Sequence, residues 1–261
     1  MPSYVIHHIA GNNLLDKYKI SDKQKGLFLL GNLIPDSIKT LGNETDPVKV
    51  KELRDKYYKE IQHEKNATHF RRKEDFNKNV QLCYLEDFLA KYGHLIDDPT
   101  VFGYYYHLFV DNYFFSTVFD ETFECLDSNG NKTDLSADTR TYKILKNGEI
   151  VTPDVFWSHA GIYDDYTKMN KILLDYYGVS FDEGELRKVL PFFINPGIEE
   201  VDYANIEAVF RETNGYIAES KAALDTSLNV FDQDKVVSFI NDVSTKFEND
   251  NPDLIQKLIK K

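Results

Sequence analysis

Residues Val101 to Phe115 read VFGYYYHLFVDNYFF, a run in which apolar and aromatic side chains take nearly every position around a helix. Such a helix has no face for water and must be enclosed by other elements. The segment is therefore predicted to be the central helix, opened by Asp98-Pro99 and continuing through Phe119. Two side chains in it do not fit that setting. His107 and Asp111 stand four residues apart, so they rise from one face, one turn apart. An ionised carboxylate buried there is costly unless it is paired or bound to a cation. A hydrogen bond between the two that orients neighbouring helices meets the same need, so the pair alone leaves both readings open.

Helical signals dominate the rest of the chain. Ser21 and Gln24 form a capping box ahead of Leu27 to Leu30, and Gly31 closes that helix before Asn32-Leu33-Ile34-Pro35-Asp36, which leaves Asp36 just beyond a helix end. Asp46-Pro47 opens a helix expected to reach about His63. A stripe of Phe76, Val80, Cys83, Tyr84 and Phe88 predicts another, ending at Tyr92-Gly93. Later helices are expected over about 154–177 with Gly178 as the stop, 183–193, 200–226 and 232–248, with a last one opened by Asn251-Pro252. Between them, residues 120–152 hold turn chemistry at Asp127 to Asn131 and two short strands around Asn147-Gly148. The expected fold is all-α: a single multi-helix domain over 1–261 with a small β-hairpin insertion near 140–152, no repeat and no linker.

Composition excludes several functions. Lys and Arg total 31 against 43 Asp and Glu, a net charge of −12, so nucleic acid is not an expected partner. No stretch approaches the roughly 20 apolar residues that span a bilayer, and the N-terminus MPSYVIHHIAG lacks the pattern of a signal peptide, so a cytoplasmic location is expected. Cys83 and Cys125 lack CxxC spacing, so any metal must rest on histidine and carboxylate. Phosphate-loop, serine-hydrolase and HExxH signatures are absent. With 17 Tyr and 18 Phe, rings should fill the core in place of leucine, a minority lining a cleft, with Tyr104 and Phe114 expected as its walls.

The polar residues left in apolar surroundings form a series: His7 or His8 near the start, Asp36 in its turn, His69 in Ala67-Thr68-His69-Phe70, then His107 and Asp111. Imidazole nitrogen with carboxylate oxygen is a ligand mixture that zinc accepts where cysteine is missing, and manganese or iron would accept it too. His63 and His94 read as solvated helix-end residues, and His159 as a core histidine with one hydrogen bond.

The order N-terminal His, G-N-x-x-P-D, T-H-F, G-Y-x-x-H-x-x-x-D resembles the bacterial zinc-dependent phospholipase C family, relatives of a phosphatidylcholine-cleaving enzyme and, more distantly, of the fungal single-strand nucleases. The likeness covers residues 1 to about 119 and implies a phospholipase C type of fold whose metal-binding half is 1–119, followed by the insertion 120–152 and a helical half 153–261. It also implies that His7, Asp36, His69, His107 and Asp111 bind one or two zinc ions, that Asp111 bridges them and that Asp36 doubles as general base. The spacing His7-His8-Ile9-Ala10-Gly11 favours His7 over His8 within that pattern.

Two departures limit the expected metal count to two. The family's amino-terminal ligand is expected to be missing or replaced by water in a chain starting Met1-Pro2, and no histidine occurs from Asn112 to Thr122, where a further ligand set would begin. The activity implied is hydrolysis of a phosphoester, foremost a phosphodiester. Zinc would lower the pKa of a bound water towards ~7, and a small phosphoester or lipid head group would be the substrate. A binding protein that kept the scaffold and lost activity is the rival of another class. An HD-type phosphohydrolase needs a His-Asp dipeptide, which none of the seven histidines provides.

Overall fold

A computed structural model describes the chain except residues 1, 38–40, 42–43, 45, 180–185, 202, 204–205, 224 and 260–261. It is mostly helical, with one small three-stranded sheet. The helices are α1 (Tyr4–Leu15), α2 (Asp22–Gly31), α3 (Pro47–Lys56), α4 (Tyr58–Thr68), α5 (Leu85–Tyr92), α6 (Pro99–Phe114), α7 (Pro153–Phe156), α8 (Ile162–Tyr177), α9 (Ile206–Ala222), α10 (Gln233–Asp250) and α11 (Pro252–Ile259). No described helix is long and apolar enough to cross a membrane.

Helix α6 is the central element. All its residues except Pro99, Asn112 and Tyr113 are buried, and α1, α2, α5 and α10 pack around it. The Asp98 carboxylate caps it by accepting from the Thr100 and Val101 amides. Two glycines bring α2 against it. A Cβ added to Gly31 would sit 2.0 Å from the Thr100 carbonyl oxygen, and one added to Gly103 would sit 2.0 Å from that of Phe28. Residue 31 therefore faces 100 and 28 faces 103, so the two helices run antiparallel with backbones in contact. Aromatic rings fill the space around them as expected: Phe28, Phe102, Tyr106 and Phe247 pack edge to face or tilted at centroid distances of 4.9–5.9 Å.

The predicted capping box is present at Ser21 and Gln24, Asp46 and Asp98 cap helices that begin with proline, and Gly178 ends α8 in the left-handed conformation. Other expectations need correcting. The helix from Pro47 breaks at Tyr57 and resumes as α4, which runs on to Thr68. The Phe76–Phe88 stripe is helical only from Leu85. Before that, the chain crosses the surface as a loop that bridges Lys78 to Leu135 and drops Cys83 into the core. The segment 154–177 is two helices, with an irregular turn from Trp157 to Gly161 between them. The start of the helix expected over 183–193 lies outside the described residues, and Leu190–Phe192 is a 3-10 turn.

The hairpin is present, with Tyr142 opposite Val151, but it belongs to a sheet of order β1-β2-β3. The unpredicted strand is β1 (Phe123–Leu126), antiparallel to β2 (Thr141–Ile144), with β3 (Ile150–Val151) on the far edge. Tyr142 joins the sheet to α7 by stacking on Phe156 at 4.2 Å and accepting a hydrogen bond from the Trp157 indole.

Candidate metal centre

Four separate elements deliver the five predicted residues to one point inside the fold. His7 projects from α1, and its ring stacks on that of His107 from α6, with centroids 3.8 Å apart. His69 is the C-cap of α4. Phe70 then takes φ +52°, a left-handed conformation that a residue with a side chain adopts at a cost, and this turns the chain sharply after the histidine. Asp36 ends the 3-10 turn Ile34–Asp36 that follows α2. Asp111 lies one turn beyond His107.

The contacts are short and join potential ligand atoms. His107 Nε2 is 3.3 Å from His69 Nε2, His69 Nε2 is 3.5 Å from Asp36 Oδ1 and 3.5 Å from Asp111 Oδ2, and His7 Nε2 is 3.3 Å from Asp111 Oδ1. These are separations that ligand atoms take around a tetrahedral ion with bonds of ~2.0–2.1 Å, for which the edge is about 3.4 Å. The two oxygens of Asp111 address different histidines, His7 on one side and His69 on the other.

The rings are held from behind. His107 Nδ1 lies 2.9 Å from the Asn32 carbonyl oxygen, and His69 Nδ1 lies 2.9 Å from that of Lys65. A carbonyl can only accept, so each Nδ1 carries the proton and each Nε2 of the neutral ring is left with a lone pair. Two lone pairs then face each other across 3.3 Å, an arrangement a cation between them resolves. Asn32 is also tied to α1, its side-chain amide donating to the His7 carbonyl at 2.6 Å. Tyr104 donates to the Thr68 carbonyl at 2.5 Å, which fixes the residue before His69.

Burial sharpens the point. His7, His69, His107 and Asp111 are fully buried, and Asp36 keeps 6% exposure. His7 Nδ1 and Nε2, Asp36 Oδ1 and both oxygens of Asp111 have no hydrogen-bond partner, which native interiors rarely tolerate. Burial alone would raise the two carboxyl pKa values. The close imidazoles outweigh it, His69 foremost for Asp36 and His7 foremost for Asp111, and hold both carboxyls well below the usual carboxylate range. Burial, with the charge of His7, pushes His107 down to about 3. At neutral pH the donor set thus includes two carboxylates and the uncharged imidazole of His107, which fits a divalent cation. His7, His107 and Asp111 form one group able to hold a metal ion, and Asp36, His69 and His107 a second.

A pH dependence follows. His107 has an ordinary value of 6.5 and a folded value of about 3, so the unfolded chain binds more protons between them. Its contribution to the stability of metal-free protein is complete above ~6.5 and is lost as pH falls towards ~3, and the depressed carboxylates act in the same direction at the acid end. The expected result is a melting temperature that falls steadily from pH 7 to pH 4 in chelator-treated protein. An unchanged value from pH 7 to pH 5 in scanning calorimetry would contradict it.

The remaining histidines lie outside the cluster. The His8 ring meets the Asn12 side-chain amide at 3.1 Å, and burial with the charge of Lys25 lowers its pKa to about 4. His63 and His94 are exposed. His159 is exposed in the turn before α8 and is not the core residue its aromatic neighbours suggested. Tyr104 and Phe114 are not cleft walls: both are fully buried, Tyr104 against Phe88 and Phe114 against Phe119 and Phe239. Met1, on which the amino-terminal ligand depends, lies outside the described residues. Sequence reasoning gave Asn32 no role, although it stands inside the quoted G-N-x-x-P-D. Compared with protein-family models, curated proteins and solved structures, the chain matches none.

Proposed function

We propose that this chain is a metal-dependent hydrolase of phosphoesters, foremost phosphodiesters, holding one or two zinc ions through His7, Asp36, His69, His107 and Asp111. The observation that carries the reading is the pair of imidazole lone pairs facing each other at 3.3 Å, ringed by carboxylate oxygens that nothing else satisfies. Nitrogen and oxygen donors without thiolate suit zinc, with manganese or iron as substitutes. Such an ion, when bound, acidifies water and neutralises charge on a phosphoryl group. The protein supplies the rest. Asp36 is ionised and is the one member of the five with solvent exposure, so it is placed to take the proton of an attacking water. Asn32 and Lys65 fix the ring tautomers through their carbonyls, and Asp111 ties the two sides together.

The resemblance to the phospholipase C family favours a small phosphoester or a lipid head group as substrate, and the net charge of −12 disfavours nucleic acid. Two free, buried thiols, Cys83 and Cys125, are compatible with the reducing cytoplasm. Metal content per chain, measured on protein purified without chelator, tests the reading together with hydrolysis of bis-p-nitrophenyl phosphate. The expected result is one to two zinc per chain and an activity abolished by chelator and restored by zinc. No bound metal and no gain of activity on adding zinc, manganese or iron would sink it.

The complete burial of four of the five residues favours a second reading, a structural metal in a binding protein, because structural sites are closed and catalytic ones keep an open position. Cobalt substitution separates the two: an absorption spectrum that shifts on adding azide or phosphate shows an open position, and one that does not shows a closed site.

A further inference from the structure

His69 at the end of α4 and Asp111 of α6 are joined by a second route that bypasses the centre itself. Asn112 follows Asp111 and is one of three residues of α6 that are not fully buried. Its side-chain carbonyl accepts from the Cys83 amide at 2.7 Å, and its side-chain NH2 donates to the Cys83 carbonyl, also at 2.7 Å. One carboxamide thus satisfies both main-chain groups of a residue 29 positions away, as a neighbouring strand would. The next residue carries the link onward, because the Tyr84 amide donates to the Phe70 carbonyl at 3.1 Å. Phe70 follows His69, whose Nε2 lies 3.5 Å from Asp111 Oδ2. The path through Asp111, Asn112, Cys83, Tyr84, Phe70 and His69 therefore closes on itself, with the metal centre as its last side.

Phe70 is where this closure matters. Its φ of +52° is costly for a residue with a side chain and persists only where the surroundings over-determine it. Upstream, the Tyr104 hydroxyl fixes the Thr68 carbonyl. Downstream, the Phe70 ring meets Phe88, Tyr92 and Tyr104 edge on at centroid distances of 5.2–6.4 Å, which places the side chain. The bond from Tyr84 acts on the Phe70 carbonyl and so on the peptide plane that the left-handed turn rotates. That bond is as firm as the anchorage of Cys83 and Tyr84, and Asn112 is what ties them to α6. Aspartate in its place could accept but not donate, and leucine could do neither.

We infer that Asn112 is a positioning residue of the metal centre: by clasping Cys83 it holds the turn after His69 against α6 and sets the separation of His69 from Asp111. The inference rests on the metal-binding reading proposed above and adds to it a residue that is not itself among the five candidate ligands.

The test is Asn112→Leu, which removes both bonds and keeps a side chain of similar shape. Asn79→Leu is the matched control. The Asn79 side-chain NH2 donates to the Thr133 carbonyl at 3.1 Å and to the Thr139 hydroxyl at 2.8 Å, in the same loop as Cys83 but outside the closed path. Three quantities are read: zinc affinity by competition with a chromophoric chelator, the absorption spectrum of cobalt-loaded protein, and the melting temperature without metal. Both variants are expected to melt below the parent. Zinc affinity is expected to fall roughly 10–100-fold in Asn112→Leu alone, the usual loss when a group that orients a ligand is removed, and its cobalt spectrum should shift. Parental affinity and spectrum in Asn112→Leu would overturn the positioning role and leave the proposed metal centre standing. Equal losses of affinity in the two variants would also overturn it, in favour of general loosening. A parent that takes up no zinc would overturn both the role and the reading of the site beneath it.

A second measurement needs no variant to fold. Coupling between two events is reciprocal, so a clasp that favours zinc must itself be tightened by zinc. In the parent, hydrogen exchange of the Cys83 and Tyr84 amides is expected to slow on zinc loading by more than that of the Asn79 amide, which donates to the Asp134 carbonyl. Equal slowing at all three amides would overturn the inference.

Discussion

Asp111→Asn is expected to abolish the high-affinity metal of this chain while leaving the metal-free protein at least as stable as before. The substitution keeps the side-chain shape and removes the charge that both sides of the cluster share. In metal-free protein that charge is fully buried and its two oxygens have no hydrogen-bond partner. A neutral amide in the same place is cheaper to bury, and it can donate to the bare Nε2 of His69. The metal-loaded comparison should run the other way. A ligand present at a thousandfold excess over its dissociation constant stabilises the folded state by about 4 kcal/mol, which in a chain of this size is on the order of 10 °C. Chelator should therefore lower the melting temperature of the parent by roughly that amount and barely move the variant. A fall of several degrees in the metal-free variant would mean that His7, His69 and Asp111 form a structural network with no need of an ion.

The second large effect lies where no chemistry is visible. Gly103→Ala places a methyl group 2.0 Å from the Phe28 carbonyl oxygen, and Gly31→Ala does the same against Thr100. The obstacle in each case is backbone, so relief requires α2 and α6 to separate. A cost of about 3 kcal/mol or more is expected, in the range of severe overpacking. The metal should be lost with it, because Asn32 and Asp36 follow directly on α2 while His107 and Asp111 ride on α6. Gly215 provides the control. It is exposed within α9, and nothing lies within 4 Å of the Cβ that alanine would add, so Gly215→Ala is expected to gain ~1 kcal/mol. Thermal melts and zinc content of the three variants check the contrast. Gly103→Ala with parental stability and full zinc would refute the backbone contact.

What could be read from the sequence depended on whether the signal was local. The caps at Ser21, Asp46 and Asp98, the left-handed stop at Gly178 and the hairpin at Asn147-Gly148 are chemistry between residues a few positions apart, and they stand where they were expected. The burial of α6 was legible because no face of it could tolerate water. The Phe76–Tyr84 segment misled because apolar residues at helical spacing also describe a loop that plugs a core at intervals, and the bridge from Lys78 to Leu135 that fixes this loop spans 57 positions. Strand β1 is four residues long and exists only because β2 pairs with it. At the site, the meeting of His7, Asp36, His69, His107 and Asp111 followed the order of motifs, whereas Asn32 acts through its main-chain carbonyl, which every residue has.

The route by which four elements converge also sets a timetable for synthesis. His7 leaves the ribosome a hundred residues ahead of His107, an interval of ~5–20 s at ordinary elongation rates. During that time α1, with nine of its twelve residues destined for burial, has neither its central partner nor α10 to lie against. The nascent chain must shelter an apolar helix for seconds before it can lock, so a chaperone that holds the first thirty or so residues, or slower translation beyond codon 111, should change yield far more than it changes the final stability.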